Sequence, residues 1–433
     1  MAKAYKSNKQ QEARYPSELL DQFLFFQNSN NDHQIRSIIR FESQLDLATF
    51  EKAVALSVQM IPIIGCRFVE SRSKSYWQKL PDDINDHLVD FLETDDTISE
   101  INKYLSKKPD EFIGPQIRIG VIRSEGKDTL CIVLNHMVFD GSAFKEYLYL
   151  LGQLYTRITE KKTAVENKQI SRERSFDQVF KQFNLGNKIR LVLLHQNTKR
   201  KQDDPHFPRA LNGNREPIFI LHELPQNKFF RLKLYGKENN VTINDIVLSA
   251  YYRALYKIIK VPDGKSLNIP CMVDLRRYLP TNNPISFCNL SSMIETKCEY
   301  MKNFEDTVQT ISMRMNNNKK KYPGLNGLGM LSVIYRMMPY SWFKEFMIRQ
   351  FSYPKITITN LGIIDSNKLR FINNEVKEAI ILTALKYSPY FQLAFSTFKD
   401  VLTFSVSLYG TKADRDTMKE FFEILDEELP CWH

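Results

Sequence analysis

The chain has no window of roughly 18 apolar residues free of charge, so a membrane-spanning helix is not expected. Its start, MAKAYKSNKQQEARYPSELL, is basic but has no apolar stretch behind the charges, which argues against a secretory leader and predicts a cytoplasmic protein. The six cysteines, Cys66, Cys131, Cys271, Cys288, Cys298 and Cys431, form no CxxC pair. Neither a zinc site nor a disulfide framework is expected of them, and their mostly apolar surroundings predict buried thiols. The seven histidines show no convincing ligand spacing, so no metal is expected. Internal repeats and low-complexity tracts are also missing, which leaves out solenoids and disordered tails.

What is present suits a folded globular protein: 43% apolar, 25% charged and 12% aromatic residues. A length of 433 residues exceeds one ordinary hydrophobic core and predicts two lobes of roughly 200 residues each. The net charge of +10 is spread along the chain without a nucleic-acid-binding motif, so nucleic acid is not an expected partner. The densest basic runs, NTKRKQ at 197–202 and NNNKKKYP at 316–323, read either as solvated loops or as a docking place for something acidic, such as coenzyme A or a carrier protein.

Hydrophobic periodicity predicts a mixed α/β layout. Asp46 caps a helix with Leu47, Phe50, Val54, Val58 and Ile61 on one face, and Pro62 stops it. IIGCRFVE, QIRIGVIR and TLCIVLNHMV read as strands, the last two joined by the turn-like SEGKD. The polar, proline-bearing segment 195–217 reads as a linker between an N-terminal lobe, 1–194, and a C-terminal lobe, 218–433. Beyond it come a strand at IFILHELP, a helix at VTINDIVLSAYYRALYKIIK, a strand at LNIPCMVD, an antiparallel hairpin turning at Lys399-Asp400, and a closing helix at TMKEFFEILDEEL. The Met-rich GMLSVIYRMMPYSWFKEFMIRQF is divided by Pro339 and reads as core helices or as a lipid-facing surface.

One segment carries chemistry: CIVLNHMVFDGSAFKEYLYLL, 131–151. With TLCIVLNHMV as a strand, a period of two puts Ile132, Leu134 and His136 on one face and Cys131, Val133 and Asn135 on the other. An imidazole at the end of a buried strand is partly desolvated, which favours the neutral form and leaves a lone pair for general-base work. Gly141 permits a sharp exit from the strand, and Ser142 is a plausible cap for the helix that follows. Asp140 either orients the imidazole or ties the turn down through a distant arginine, for which Arg276 in MVDLRRYLP is a candidate.

NHMVFDG, 135–141, resembles the HHxxxDG or HxxxDG motif of the chloramphenicol acetyltransferase-like superfamily, which holds condensation domains, alcohol O-acetyltransferases and wax-ester synthases. The resemblance runs collinearly through LDLATFEKAVALSVQMIPIIGCRF, VTINDIVLSAYYRAL, PCMVDLRRYLP, SFCNLSS and TNLG. It implies two similar lobes of mixed sheets flanked by helices around a central tunnel. It implies too that His136 is the general base, that Asp140 pairs with Arg276 to hold the turn, and that the Gly141 N–H and Asn360 are the oxyanion or substrate contacts. The donor would be acyl-CoA or a phosphopantetheine thioester on an acyl-carrier protein, the acceptor an alcohol or amine, with no tightly bound cofactor. Asn135 replaces the first histidine of the doubled motif, and the DFGWG signature of the plant branch is missing. The chain is therefore most similar to microbial alcohol acetyltransferases or stand-alone condensation-type enzymes, and a monomer suffices. The competing expectation is a non-catalytic relative that only docks a carrier protein or ligand.

Overall fold

The computed structural model describes residues 13–81, 88–162, 170–193, 205–262, 264–320 and 322–430. Two large sheets dominate it. The first has five strands in the order Val376–Leu382, Gln34–Phe41, Lys127–Asn135, Ile117–Ser124 and Val89–Glu93, antiparallel except for the last pair. The second has six, ordered Ser291–Cys298, Leu267–Asp274, Ile356–Ile363, Phe391–Phe398, Val401–Gly410 and Glu216–Leu224. Its two central pairings, through Ile356–Ile363, are parallel. The edge strand of the first sheet thus comes from the last quarter of the chain, between two strands of the second. The fold is mixed α/β, and no helix among the described residues is long and apolar enough to cross a membrane.

Local chemistry explains the elements. Asp46 caps the helix Leu47–Met60, its Oδ1 accepting from the Thr49 N–H at 2.7 Å, and Pro62 opens a short 3-10 turn, Pro62–Gly65. The predicted strand IIGCRFVE is therefore shorter than its apolar run and begins only at Cys66. The hairpin at Lys399-Asp400 forms with both turn residues at positive φ, 46° and 61°, the backbone that matches a two-residue connection to strand twist. Thr242 and Asp245 make a capping box for the helix Ile243–Ile259, which is buried on nearly every side from Asp245 to Tyr256.

The strand Lys127–Asn135 separates two cores. Leu130, Ile132 and Leu134 pack with Phe50, Val54 and Phe144 of the flanking helices, whereas Cys131 and Val133 pack with Ile101 and Leu105. The linker reading is revised at its far end: Phe207 is fully buried against Phe391, and Arg209 pairs with Asp414. Residues 216 and 217 already belong to a strand; the basic run at 197–202 lies outside the described residues. The second basic run closes the helix Phe304–Lys319. The Met-rich segment forms two helices, Leu328–Met337 and Tyr340–Gln350, which bury Leu331, Phe343 and Met347 but expose Met337 and Trp342. Five cysteines are buried and free; Cys431 lies outside the described residues.

Candidate active site

The motif strand stops at Asn135, three residues short of the expected end at Val138, and His136 opens the turn beyond it. The cause is local: the Asn135 side chain folds over, accepting from the Met137 N–H at 3.0 Å and donating to Gln116 at 2.7 Å. The His136 N–H donates instead to the carbonyl of His33, 2.7 Å away.

The helix that follows is Gly141–Thr159, and its cap is Asp140, not Ser142. Asp140 is extended and its Oδ1 accepts from the Ala143 N–H at 2.9 Å, whereas Ser142, the second residue of the helix, already lies past the cap position. Gly141 has no positive φ to explain its identity; a Cβ there would meet Leu361 Cδ2 at 2.8 Å. Close approach, not an unusual turn, favours glycine here. Leu361 comes forward because the strand Ile356–Ile363 slips its register between Asn360 and Gly362.

Asp140 is 2% exposed, and its second oxygen accepts from Arg276 Nη1 at 2.7 Å and from the Leu290 N–H at 2.6 Å. Burial opposes the carboxylate, but the Arg276 charge and hydrogen bond, with the Ala143 and Leu290 amides, hold its pKa below the usual range. Arg276 sits in a 3-10 turn, Leu275–Tyr278, just past the strand that sequence assigned it to, and also binds the carbonyls of Ser286 and Cys288. The turn is further fastened by Asn289, donating to the Met137 carbonyl, and by Arg174, donating to the Val138 carbonyl. Sequence reasoning missed Arg174 and Asn289, since only the fold brings them to the turn.

His136, Asp140, Gly141 and Asn360 line one cavity of about 190 Å³ between the two sheets, with Arg276 behind Asp140. The walls are mainly apolar, from Leu20, Phe23, Ile35, Met272 and Leu382. A volume below the roughly 300–1,000 Å³ of ordinary ligand pockets suits a slender substrate. A larger open groove of about 1350 Å³ borders Arg157, Lys368 and Arg370 but holds none of the motif residues. Burial lowers the His136 pKa, against weaker opposing pulls from the main chain of His136 and Phe139 and from Asp140. Nδ1 is buried with no hydrogen-bond partner, whereas Nε2 is not enclosed in that way, on a residue that lines the cavity. Asn360 Oδ1 accepts from the Gly362 N–H at 2.8 Å, so its carbonyl end is engaged within its own strand. Among the described residues, no group of three His, Cys, Asp or Glu side chains is placed to hold a metal ion.

Two buried groups near the motif had no signal in the sequence. His33 has positive φ, 55°, and neither ring nitrogen has a partner. Lys386 lines the cavity while 4% exposed.

No family model and no curated protein matches the chain in sequence. Solved structures do match in shape. The epimerization domain from the third module of tyrocidine synthetase B superposes with a TM-score of 0.69 at 13% identity, covering 96% of both chains. The trichothecene 15-O-acetyltransferase TRI3 from Fusarium sporotrichioides gives 0.65 at 12%, again over 96% of each. The starter condensation domain of rhizomide synthetase, solved in complex with C8-CoA, gives 0.66 at 12%, covering 97% of this chain and 96% of that one. The chain therefore has the two-lobed fold of condensation domains and related acyltransferases, as its motif implied.

Proposed function

We propose that this chain is a condensation-type acyltransferase that moves an acyl group from coenzyme A or a carrier-bound thioester to a hydroxyl or amine, with His136 as general base. The observation that carries the reading is His136 itself, a partly buried imidazole kept from protonating, its Nε2 not enclosed as Nδ1 is, on the wall of a cavity shared with Gly141 and Asn360. Neutral Nε2 takes the proton of the acceptor as its oxygen or nitrogen attacks the thioester carbonyl. The same proton then passes to the departing thiolate, so no covalent acyl-enzyme is required. The negative charge developing on the carbonyl oxygen falls, in this reading, to the Asn360 side-chain amide and the N–H of Gly141 at the start of its helix, both of which line the cavity. Asp140 and Arg276 hold the turn and do not touch the reacting atoms. An acyl-CoA or an acyl-carrier protein is the donor partner of this reading, and one copy of the chain contains every residue named.

The test is thiol release from acyl-CoA donors of rising chain length, with pooled alcohols and amines, comparing wild type with His136→Ala. The expected result is turnover that falls on the order of 10²- to 10⁴-fold in the variant at unchanged melting temperature. Equal release by both proteins removes His136 from the mechanism. If coenzyme A donors are inert, the same comparison with carrier-bound thioesters decides, and silence there too leaves the protein a binder of such partners.

A further inference from the structure

Three basic residues among the described ones are buried: Arg36, Arg253 and Lys386. Two have carboxylate partners, Arg36 with Asp32 and Arg253 with Glu428. Lys386 has none within ion-pairing distance among the described residues, and its side chain makes no hydrogen bond there. Its nearest favourable contact is the ring of Tyr353, with Nζ 5.2 Å from the centroid. A cation–π contact of that kind is weaker than the desolvation that burying an ion costs. The adjacent carboxylate, Asp32, is occupied with Arg36 and with the main-chain N–H groups of Gln34 and Leu385.

The surroundings point outward to a ligand. Lys386 and Tyr353 both line the cavity that holds His136. Thr383, three residues before Lys386, lines it too, and its buried hydroxyl has no partner. The main chain at Lys386 is pinned on both sides, its N–H bonded to the Ser407 carbonyl and its own carbonyl accepting from Tyr409, each at 3.0 Å. A fixed ammonium and a free hydroxyl thus face a narrow, largely apolar space.

We propose that Lys386 and Thr383 bind a carboxylate carried on an otherwise apolar substrate of this cavity. One ammonium and one hydroxyl match a single negative charge; a phosphate dianion calls for more donors than the segment offers. The assignment rests on the acyl-transfer reading only in calling the ligand a substrate. The carboxylate belongs either to the acceptor or to the acyl group of the donor.

Calorimetric titration of the intact protein with octanoate and with octanol tests the assignment without any turnover. Wild type is expected to bind octanoate at least about 10-fold more tightly, and Lys386→Met is expected to erase the preference. Thr383→Val, which keeps the ammonium, should weaken octanoate binding several-fold. Equal affinity for the two probes in wild type, or a preference that survives Lys386→Met, overturns the proposal. So does a melting temperature that drops by several degrees in Lys386→Met, because removal of an uncompensated buried cation should leave it unchanged or raise it. With a turnover assay in hand, two matched pairs locate the carboxylate: ω-hydroxyoctanoate against octanediol as acceptors, and succinyl-CoA against butyryl-CoA as donors. The pair whose KM ratio collapses in Lys386→Met identifies the source. Equal loss of kcat for charged and neutral members would place the lysine at the reacting carbonyl and overturn the assignment.

Discussion

The ring that the sequence singles out, His136, is seated by its main chain on a second histidine that the sequence does not. His33 is buried with both ring nitrogens unpartnered, and burial, followed by the charge of a protonated His136 and of Lys386, pushes its pKa down to about 3. The unfolded chain takes up a proton on this residue below its ordinary pKa of 6.5, whereas the folded one does not. The stability that His33 protects is therefore complete above pH 6.5 and is lost as pH falls from there toward 3. A histidine of this kind adds a slope of at most about 1.4 kcal/mol per pH unit. His33→Asn, which tolerates the left-handed backbone, should flatten the pH dependence of urea unfolding between those limits. Parallel stability curves for variant and wild type would show that His33 titrates normally.

At the scale of elements, the site depends on a helix start and a bulged strand meeting at van der Waals distance. The first residue of Gly141–Thr159 lies under Leu361, which the slipped register of Ile356–Ile363 brings forward. A methyl group at position 141 would stand 2.8 Å from the tip of that leucine, a flexible neighbour that can yield. Gly141→Ala is thus expected to cost about 1 kcal/mol of stability. Its effect on kcat/KM should be larger, since both residues line the cavity. The double variant with Leu361→Ala should recover part of the loss, and strictly additive effects of the two changes would refute the contact.

Across the whole molecule, the motif turn is held by groups from the other sheet. Asp140 caps a helix that packs on the first sheet while accepting from Arg276 and Leu290, which flank strands of the second. Asp140→Asn leaves Arg276, whose side chain is 21% exposed, with Asp274 as its remaining carboxylate partner, and is expected to cost about 1–3 kcal/mol, with activity falling in parallel. Because the Asp140 carboxylate is buried, the loss should change less with salt than that of a fully exposed pair. A loss of activity at full thermal stability would instead make Asp140 a partner in the chemistry. The depressed pKa of Asp140 has its own window: its contribution is present above pH 3.8 and fades only below it, at more acid pH than the His33 effect begins.

Local interactions made much of this legible in advance. The cap at Asp46, the Lys399-Asp400 turn and the alternation of residues 130–134 depend on neighbours a few positions away, so the sequence carries them. The same is true of the motif turn, whose order of residues is itself the signal. Other features depend on groups brought together from separate elements. The end of the strand at Asn135 is set with Gln116, the preference for glycine at 141 by Leu361, and the main-chain seat of His136 by His33. Asp140 met Arg276 only because two sheets pack together, a pairing that the resemblance implied and spacing alone left open. Lys386 has no motif around it, and its meaning lies in a burial and a missing counter-charge that a linear string does not encode. The sequence by itself determined the elements, the motif and the character of the fold, because those follow from periodicity and short-range hydrogen bonding. Which side chains share the cavity, and which charge waits there unpaired, was decided by tertiary packing, because desolvation and long-range contact exist only once the sheets have come together.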